Sequence, residues 1–225
     1  MRKSKLILID GITGSGKSTT GRFLAEQLKA NNIAHRLYEE EEPGHPLNYT
    51  AADIEELGPE EVENFIIAMP PLWQRFVHSA LDSDEVFIIE SYIFQDTIRI
   101  LFQNNVARER IFAFAHRQLE IIRPMNPVLI WLWTRDVNQS IRRIWATRGE
   151  QWKQWFIRVD TATPYALANH LQGEEGAITL WEHYQDLTKE LFDSYDIARL
   201  AVEVSPEAWE RNQEEIIRFL GLSEI

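Results

Sequence analysis

No cysteine occurs in the 225 residues. The chain therefore has no disulfide framework and no thiolate metal site, which agrees with a reducing, cytoplasmic setting. No apolar run approaches the roughly 20 residues that a membrane helix needs, which argues against a membrane partner. Behind the basic Met1-Arg2-Lys3-Ser4-Lys5, the apolar stretch ends already at Asp10, too short for the core of a secretory signal. Positive charge is also scarce: 23 Lys and Arg stand against 35 Asp and Glu, a net charge of −12. A chain whose main partner was nucleic acid would carry the opposite balance. The six histidines show no metal-ligand spacing. No internal repeat or low-complexity linker divides the sequence, and its length suits a single domain over residues 1–225.

Glycine is sparse too, with ten in all, yet three fall within six residues, at Gly11, Gly14 and Gly16. The run Gly11-Ile12-Thr13-Gly14-Ser15-Gly16-Lys17-Ser18 has the Walker A spacing G-x-x-x-x-G-K-[ST]. Leu6 to Ile9 before it reads as a buried strand and Thr19 to Asn31 after it as a helix, the context the motif requires. Loop glycines let several backbone N–H groups face one anion, and the helix start adds partial positive charge. Gly11, Thr13, Gly14, Ser15, Gly16, Lys17, Ser18 and Thr19 are thus expected to hold a nucleoside triphosphate. Lys17 reaches the outer phosphates and Ser18 ligates Mg²⁺.

Apolar runs at 6–10, 34–38, 86–90, 128–133 and 200–204 predict five strands, and their near-continuous hydrophobicity is that of a parallel sheet covered on both faces. Helices are predicted over 60–81, 94–122 with a split near Asn104-Asn105, 137–147, 178–195 and 207–220. Pro70-Pro71 should break or kink the first of these. The stretch 149–176 reads as a mobile loop carrying an insertion. The fold class is therefore α/β, a P-loop NTPase fold with about five parallel strands, helices on both faces and a lid segment near 148–176.

Further candidates lie at strand ends, where open α/β sheets bind ligands. Glu90 closes the third strand, where it can hold Mg²⁺ or accept a proton; the alternative is a solvated acid. Glu42-Pro43-Gly44 follows the second strand after Glu39, Glu40 and Glu41. A carboxylate there, Glu42 foremost, can bind an acceptor or take its hydroxyl proton, and the choice among the four stays open. Arg143 and Arg148 lie on and just after the helix behind strand four. A guanidinium from this pair can cover the transferring phosphoryl group, with the helix ending near Thr147 and Arg148 on a loop. Arg108, Arg110, Arg117 and Arg123 flank an apolar face of the 94–122 segment and read mostly as a solvated surface, with Arg117 singled out among them. Trp152 and Trp155 read as a wall over a base or as lid contacts, and Trp131 and Trp133 as core.

Together these residues resemble the thymidylate kinase and deoxynucleoside kinase group of P-loop phosphotransferases. The likeness runs through Leu6-Ile7-Leu8-Ile9-Asp10-Gly11, Gly14-Ser15-Gly16-Lys17-Ser18-Thr19, Glu42-Pro43-Gly44, Glu90-Ser91-Tyr92, the segment 127–149, and Trp181-Glu182 to Phe192. It implies ATP with Mg²⁺ as donor, a small-molecule phosphate acceptor, a lid and often a homodimer. The departures fall on the acceptor side. Thr13 replaces a loop acid, Ser91 replaces a phosphate-binding arginine, and no arginine stands near Met69-Pro70-Pro71 apart from Arg75 a turn later. Serine cannot replace bidentate guanidinium contacts to phosphate. The departures tilt the reading toward a hydroxyl acceptor, with a nucleotide still open. A nucleotide-driven ATPase or switch and a non-catalytic nucleotide binder are the alternatives.

Overall fold

A computed structural model of the chain describes residues 4–49, 58–205 and 207–223. Strands β1 (Leu6–Gly11), β2 (His35–Tyr38), β3 (Val86–Glu90), β4 (Val128–Trp133) and β5 (Ala198–Glu203) form one sheet in the order β2-β3-β1-β4-β5. All four pairings are parallel. The strand period of two sends Leu6 and Leu8 to one face and Ile7 and Ile9 to the other. On the first face they join Ile89, Leu129 and Trp131 beneath α2 (Pro59–Leu81), α4 (Arg108–Ile122) and α8 (Gly173–Ser194). On the second face, Ile7, Ile9, Ile88 and Ile130 pack with Leu24, Leu28 and Ile216, from α1 (Lys17–Ala30) and α9 (Trp209–Leu220). Trp131 is buried as expected, and Trp133 is half-buried beside it.

The predicted split of 94–122 occurs: α3 (Ile98–Gln103) and α4 flank Asn104 and Asn105, and Asn105 takes a positive φ of 54°. Asp136 caps α5 (Val137–Arg148) by accepting the Gln139 N–H at 2.7 Å, the bond a first-turn donor lacks within the helix.

Two features differ from expectation: the break allowed for at Pro70-Pro71, and the loop at 149–176. Helix α2 runs unbroken through Pro70 and Pro71. An interior proline costs about 3 kcal/mol, but Phe65, Met69, Trp73 and Phe76 from both halves are buried in the same core, and each such burial returns about 1.5–3 kcal/mol. The stretch 149–176 is not a loop. It holds α6 (Glu150–Thr161), α7 (Pro164–Ala168) and the first turn of α8. Trp145, Phe156 and Trp181 pack in series across α5, α6 and α8, with ring centroids 5.9 Å apart at each step. Between the helices the buried Asp160 carboxylate accepts the Gln103 amide at 2.9 Å and the Trp181 indole N–H at 2.7 Å.

Candidate functional site

Strand β1 delivers the glycine loop to the carboxyl edge of the sheet. A Cβ on Gly11 would lie 2.3 Å from the Leu132 carbonyl oxygen, so only glycine lets β4 come this close. Gly14 and Gly16 adopt φ of 75° and 91°, a left-handed backbone that other residues rarely take. Gly16 is the N-cap of α1 and provides no side-chain cap, so the first N–H groups of that helix remain open to an anion. The Ser15 hydroxyl is buried and has no hydrogen-bond partner among the described residues. Thr13 is half-buried on the loop, and Thr19 is exposed on the first turn.

Lys17 is 6% exposed, and its ammonium donates to the Ile12 carbonyl at 3.2 Å and to Gln95 Oε1 at 2.6 Å. Parallel pairing of β1 with β3 sets Glu90 beside Ile9. From there Glu90 Oε1 accepts the Ser18 hydroxyl at 2.6 Å, while Glu90 Oε2 is buried without a partner among the described residues. Burial pushes the Glu90 carboxyl above the usual range. The Ser18 bond and Lys17 oppose the rise, while Glu40 and Glu39 reinforce it. No cluster of three or more His, Asp or Glu able to hold a metal occurs among the described residues. A Ser18 oxygen next to an orphaned carboxylate oxygen instead fits Mg²⁺, which takes one or two protein oxygens and completes its shell with phosphate and water.

A second set of polar groups faces the loop. Asp10, wholly buried at the end of β1, accepts N–H bonds from Gly11 at 2.8 Å, Ile93 at 3.2 Å, Phe94 at 2.8 Å and Gln95 at 3.2 Å. Burial pushes its carboxyl up to about 7, against the pull of Lys17 and these amides. The turn so anchored presents Gln95, whose Nε2 donates to Glu40 Oε1 at 2.9 Å; the Ser91 hydroxyl donates to Glu40 Oε2 at 2.7 Å. Ser91 itself holds a positive φ of 70°. A continuous chain Lys17–Gln95–Glu40–Ser91 thus links the loop lysine to a carboxylate.

Glu42 stands elsewhere. It pairs with Arg36, whose guanidinium also lies over Tyr38 at 4.6 Å, and Glu39 pairs with Arg22 at 2.6 Å. The cause is the turn after β2, in which Glu42 N–H bonds to the Glu39 carbonyl at 3.1 Å. That turn directs Glu39 and Glu42 to arginines and leaves Glu40 facing the site. Of these glutamates, Glu40 is the one hydrogen-bonded to Gln95 and Ser91. Sequence reasoning also passed over Asp10 and Gln95. A carboxylate at the end of a buried apolar strand, directly before the glycine loop, was the available signal for Asp10; Gln95 had none.

Arg143 borders a cleft beside Gly14, Ser15, Gly16 and Thr19. Arg148 does not lie on a loop: it is the last residue of α5, exposed, with its guanidinium 5.7 Å from the Trp152 ring. Gly149, at φ 91°, ends the helix one residue later than expected. Arg117 is exposed on α4. Trp152 packs on Phe156 at 5.0 Å and on Trp155 at 5.9 Å, all three on helix α6. The cleft beside Arg143 continues between β4, β5 and α9 over Leu132, Val202, Val204 and Trp209, an apolar slot adjoining the glycine loop that the sequence did not announce.

No protein-family model matches the chain, and comparison with curated proteins finds no match. Solved structures do match in fold. Thymidylate kinase from Ehrlichia chaffeensis aligns with a TM-score of 0.54 at 13% identity, covering 97% of this chain and 99% of that one. Shikimate kinase from Acinetobacter baumannii, solved with shikimate, aligns at 0.52 and 15% identity, covering 97% and 93%. At such identities the likeness speaks for the fold: an α/β fold of the P-loop kinase type, strand order 2-3-1-4-5 included.

Proposed function

We propose that this chain is a phosphotransferase that moves the γ-phosphoryl group of ATP to a small acceptor. The carrying observation is the chain of side chains from Lys17 through Gln95 to Glu40, with the Ser18–Glu90 pair next to it. The amides of the glycine loop and α1 take the donor phosphates, and Lys17 exchanges its bonds to Ile12 and Gln95 for phosphate oxygens. Ser18 and Glu90 would hold Mg²⁺, which supplies charge neutralisation at the phosphates. The apolar slot over Val202, Val204 and Trp209 takes the donor base, and Arg143 at its border meets phosphate charge.

Glu40 is the base in this reading. Its neighbours Gln95 and Ser91 are neutral donors, which orient the carboxylate without quenching its charge, and free lone pairs remain. The acceptor oxygen forms a bond to the γ-phosphorus as the bond from that phosphorus to the bridging oxygen breaks. ADP leaves, and the hydroxyl proton passes to Glu40. Asp10 acts one step back, fixing the turn that presents Gln95.

Calorimetry with MgATP, followed by ADP release with and without acceptors, tests the proposal. Acceptor-dependent release is expected. Release that ignores the acceptor would mark an ATPase, and binding without release a non-catalytic nucleotide binder. Lys17→Ala should lower turnover by about 10²-fold or more, as loss of one pre-placed transition-state donor does, with an unchanged circular dichroism spectrum. Near-normal turnover in that variant removes the lysine from its role.

A further inference from the structure

One amide in the cleft between β4, β5 and α9 has its donating end tied down. Asn212, in the first turn of α9, is 4% exposed and lines that cleft. Its Nδ2 donates to the Glu203 carbonyl at the end of β5, at 2.9 Å. Glu203 is not part of the lining, so this end of the amide is directed out of the cleft. A backbone carbonyl only accepts, and the amide cannot turn over without setting oxygen against oxygen. The backbone N–H of Asn212 is spent on the Ala208 carbonyl at 2.8 Å. The side-chain Oδ1 accepts no bond among the described residues, and it is not sealed from solvent. Asn212 therefore presents the cleft with its acceptor.

The rest of the lining does not choose between ligands in this way. Leu132, Val202, Val204 and Ile216 are apolar, and Trp209 adds an aromatic ring that meets Phe23 edge-on at 6.0 Å. Such surfaces take the face of any flat ring. Apart from Arg143 and Asn212, the polar side chains of the lining are serine and threonine hydroxyls, which donate and accept alike. The cleft is small, about 180 Å³, against roughly 300–1,000 Å³ for pockets that hold a drug-sized ligand whole. It suits one ring system, with the remainder of the ligand running over the glycine loop that borders it.

We infer that Asn212 reads the donor base, and that it selects a ring carrying an exocyclic amine over one carrying a carbonyl at that position. The inference rests on the phosphotransferase reading for the placement of the base and adds the residue that decides which base is taken. An amine N–H gives Oδ1 the hydrogen bond it lacks. A carbonyl in the same place sets two acceptors together, and both lose water without gaining a donor. The Glu203 bond makes the choice one-sided, since an unanchored amide would turn its Nδ2 to the carbonyl and hold either ring. ATP is thus favoured over ITP and GTP.

Four magnesium nucleotides provide the test, each titrated into the full chain by calorimetry: ATP; purine riboside triphosphate, with hydrogen in place of the amine; and ITP and GTP, with a carbonyl there. Magnesium tripolyphosphate, which has no base, is titrated alongside. The parent chain should bind ATP about tenfold or more tighter than ITP and GTP, with purine riboside triphosphate between them. Asn212→Ala should bring ATP and ITP to nearly equal affinity, while tripolyphosphate affinity and the circular dichroism spectrum stay those of the parent. Asn212→Ser, whose hydroxyl donates to a carbonyl as readily as it accepts from an amine, should narrow the margin as well, and decides the matter if the alanine variant does not fold. Equal affinities for ATP and ITP in the parent, a preference for GTP, or an ATP margin that survives in a folded variant overturns the inference and leaves the phosphotransferase reading standing. If neither MgATP nor tripolyphosphate binds, that reading falls and the inference falls with it.

Discussion

Glu90 ends β3 with one oxygen on the Ser18 hydroxyl and the other unpartnered among the described residues. Glu90→Gln keeps the shape and removes the charge. Mg²⁺-dependent turnover should be lost, while calorimetric ATP affinity stays within a few-fold because the loop amides and Lys17 remain. An unchanged rate at saturating Mg²⁺ would show that this carboxylate serves another purpose. His45 makes a second prediction. Its ring stacks on Tyr92 at 3.9 Å, its Nδ1 accepts the Leu47 N–H at 3.1 Å, and burial, with Arg36 nearby, pushes the imidazole down from 6.5 to about 4. Between those values the unfolded chain binds more proton than the folded one. Stability from this residue is therefore whole above about pH 6.5 and is lost as pH falls toward 4, by on the order of 1–2 kcal/mol after solvent screening. Urea titrations at several pH values should show that slope in the parent chain and a flatter one in His45→Phe. Equal slopes would mean that the imidazole protonates in place.

That Lys17, Ser18 and Glu90 come together at one end of the sheet was legible, because each follows from local context: a spaced motif, and a lone acid closing an apolar run. Glu40 was not. Four consecutive glutamates look alike in sequence, and the turn from Glu39 to Glu42 decides which of them faces the site.

At the scale of elements, the strands were legible because burial on both faces demands apolar residues along nearly their whole length. Boundaries shifted by a residue or two, as for β5 at Ala198–Glu203. The 149–176 helices were illegible for a physical reason. Helix α7 has five residues, far too few to be stable alone, and α6 acquires its order from aromatic contacts with α5 and α8. Asp160 joins α6 to α3 and α8 through two side-chain bonds. Asp160→Ala would strand the Trp181 and Gln103 donors in the interior and should cost about 2–4 kcal/mol. Denaturant unfolding measures this, and a loss below about 0.5 kcal/mol, the size of an ordinary surface change, would show that the helical segment does not depend on that carboxylate.

For the whole molecule, the strand order sets β3 and β4 on either side of β1. This places the carboxylate of one strand and the apolar slot behind the other against a single loop. No helix among the described residues is long and apolar enough to cross a membrane. Ligand binding should act on the entire fold, since β1 and α1 carry the loop and anchor both cores. MgATP at a hundred times its Kd should add about 2.7 kcal/mol, raising Tm by about 5–10 °C for a chain of this size. Differential scanning calorimetry of the parent chain and Lys17→Ala checks it, with a much smaller shift expected in the variant. Equal shifts in both would place nucleotide binding away from the loop.

The amino-acid order alone determined the glycine loop with its lysine and serine, the parallel α/β plan and the acid that closes β3. These depend on contacts between near neighbours or on burial that every residue of a strand must satisfy. Tertiary structure alone decided that Glu40 and not Glu42 faces the site, that Gln95 bridges it to Lys17, that Arg148 packs over a tryptophan, and that a stretch read as a loop is helical. Each of those outcomes depends on groups far apart in the chain, and their positions exist only once the sheet has closed.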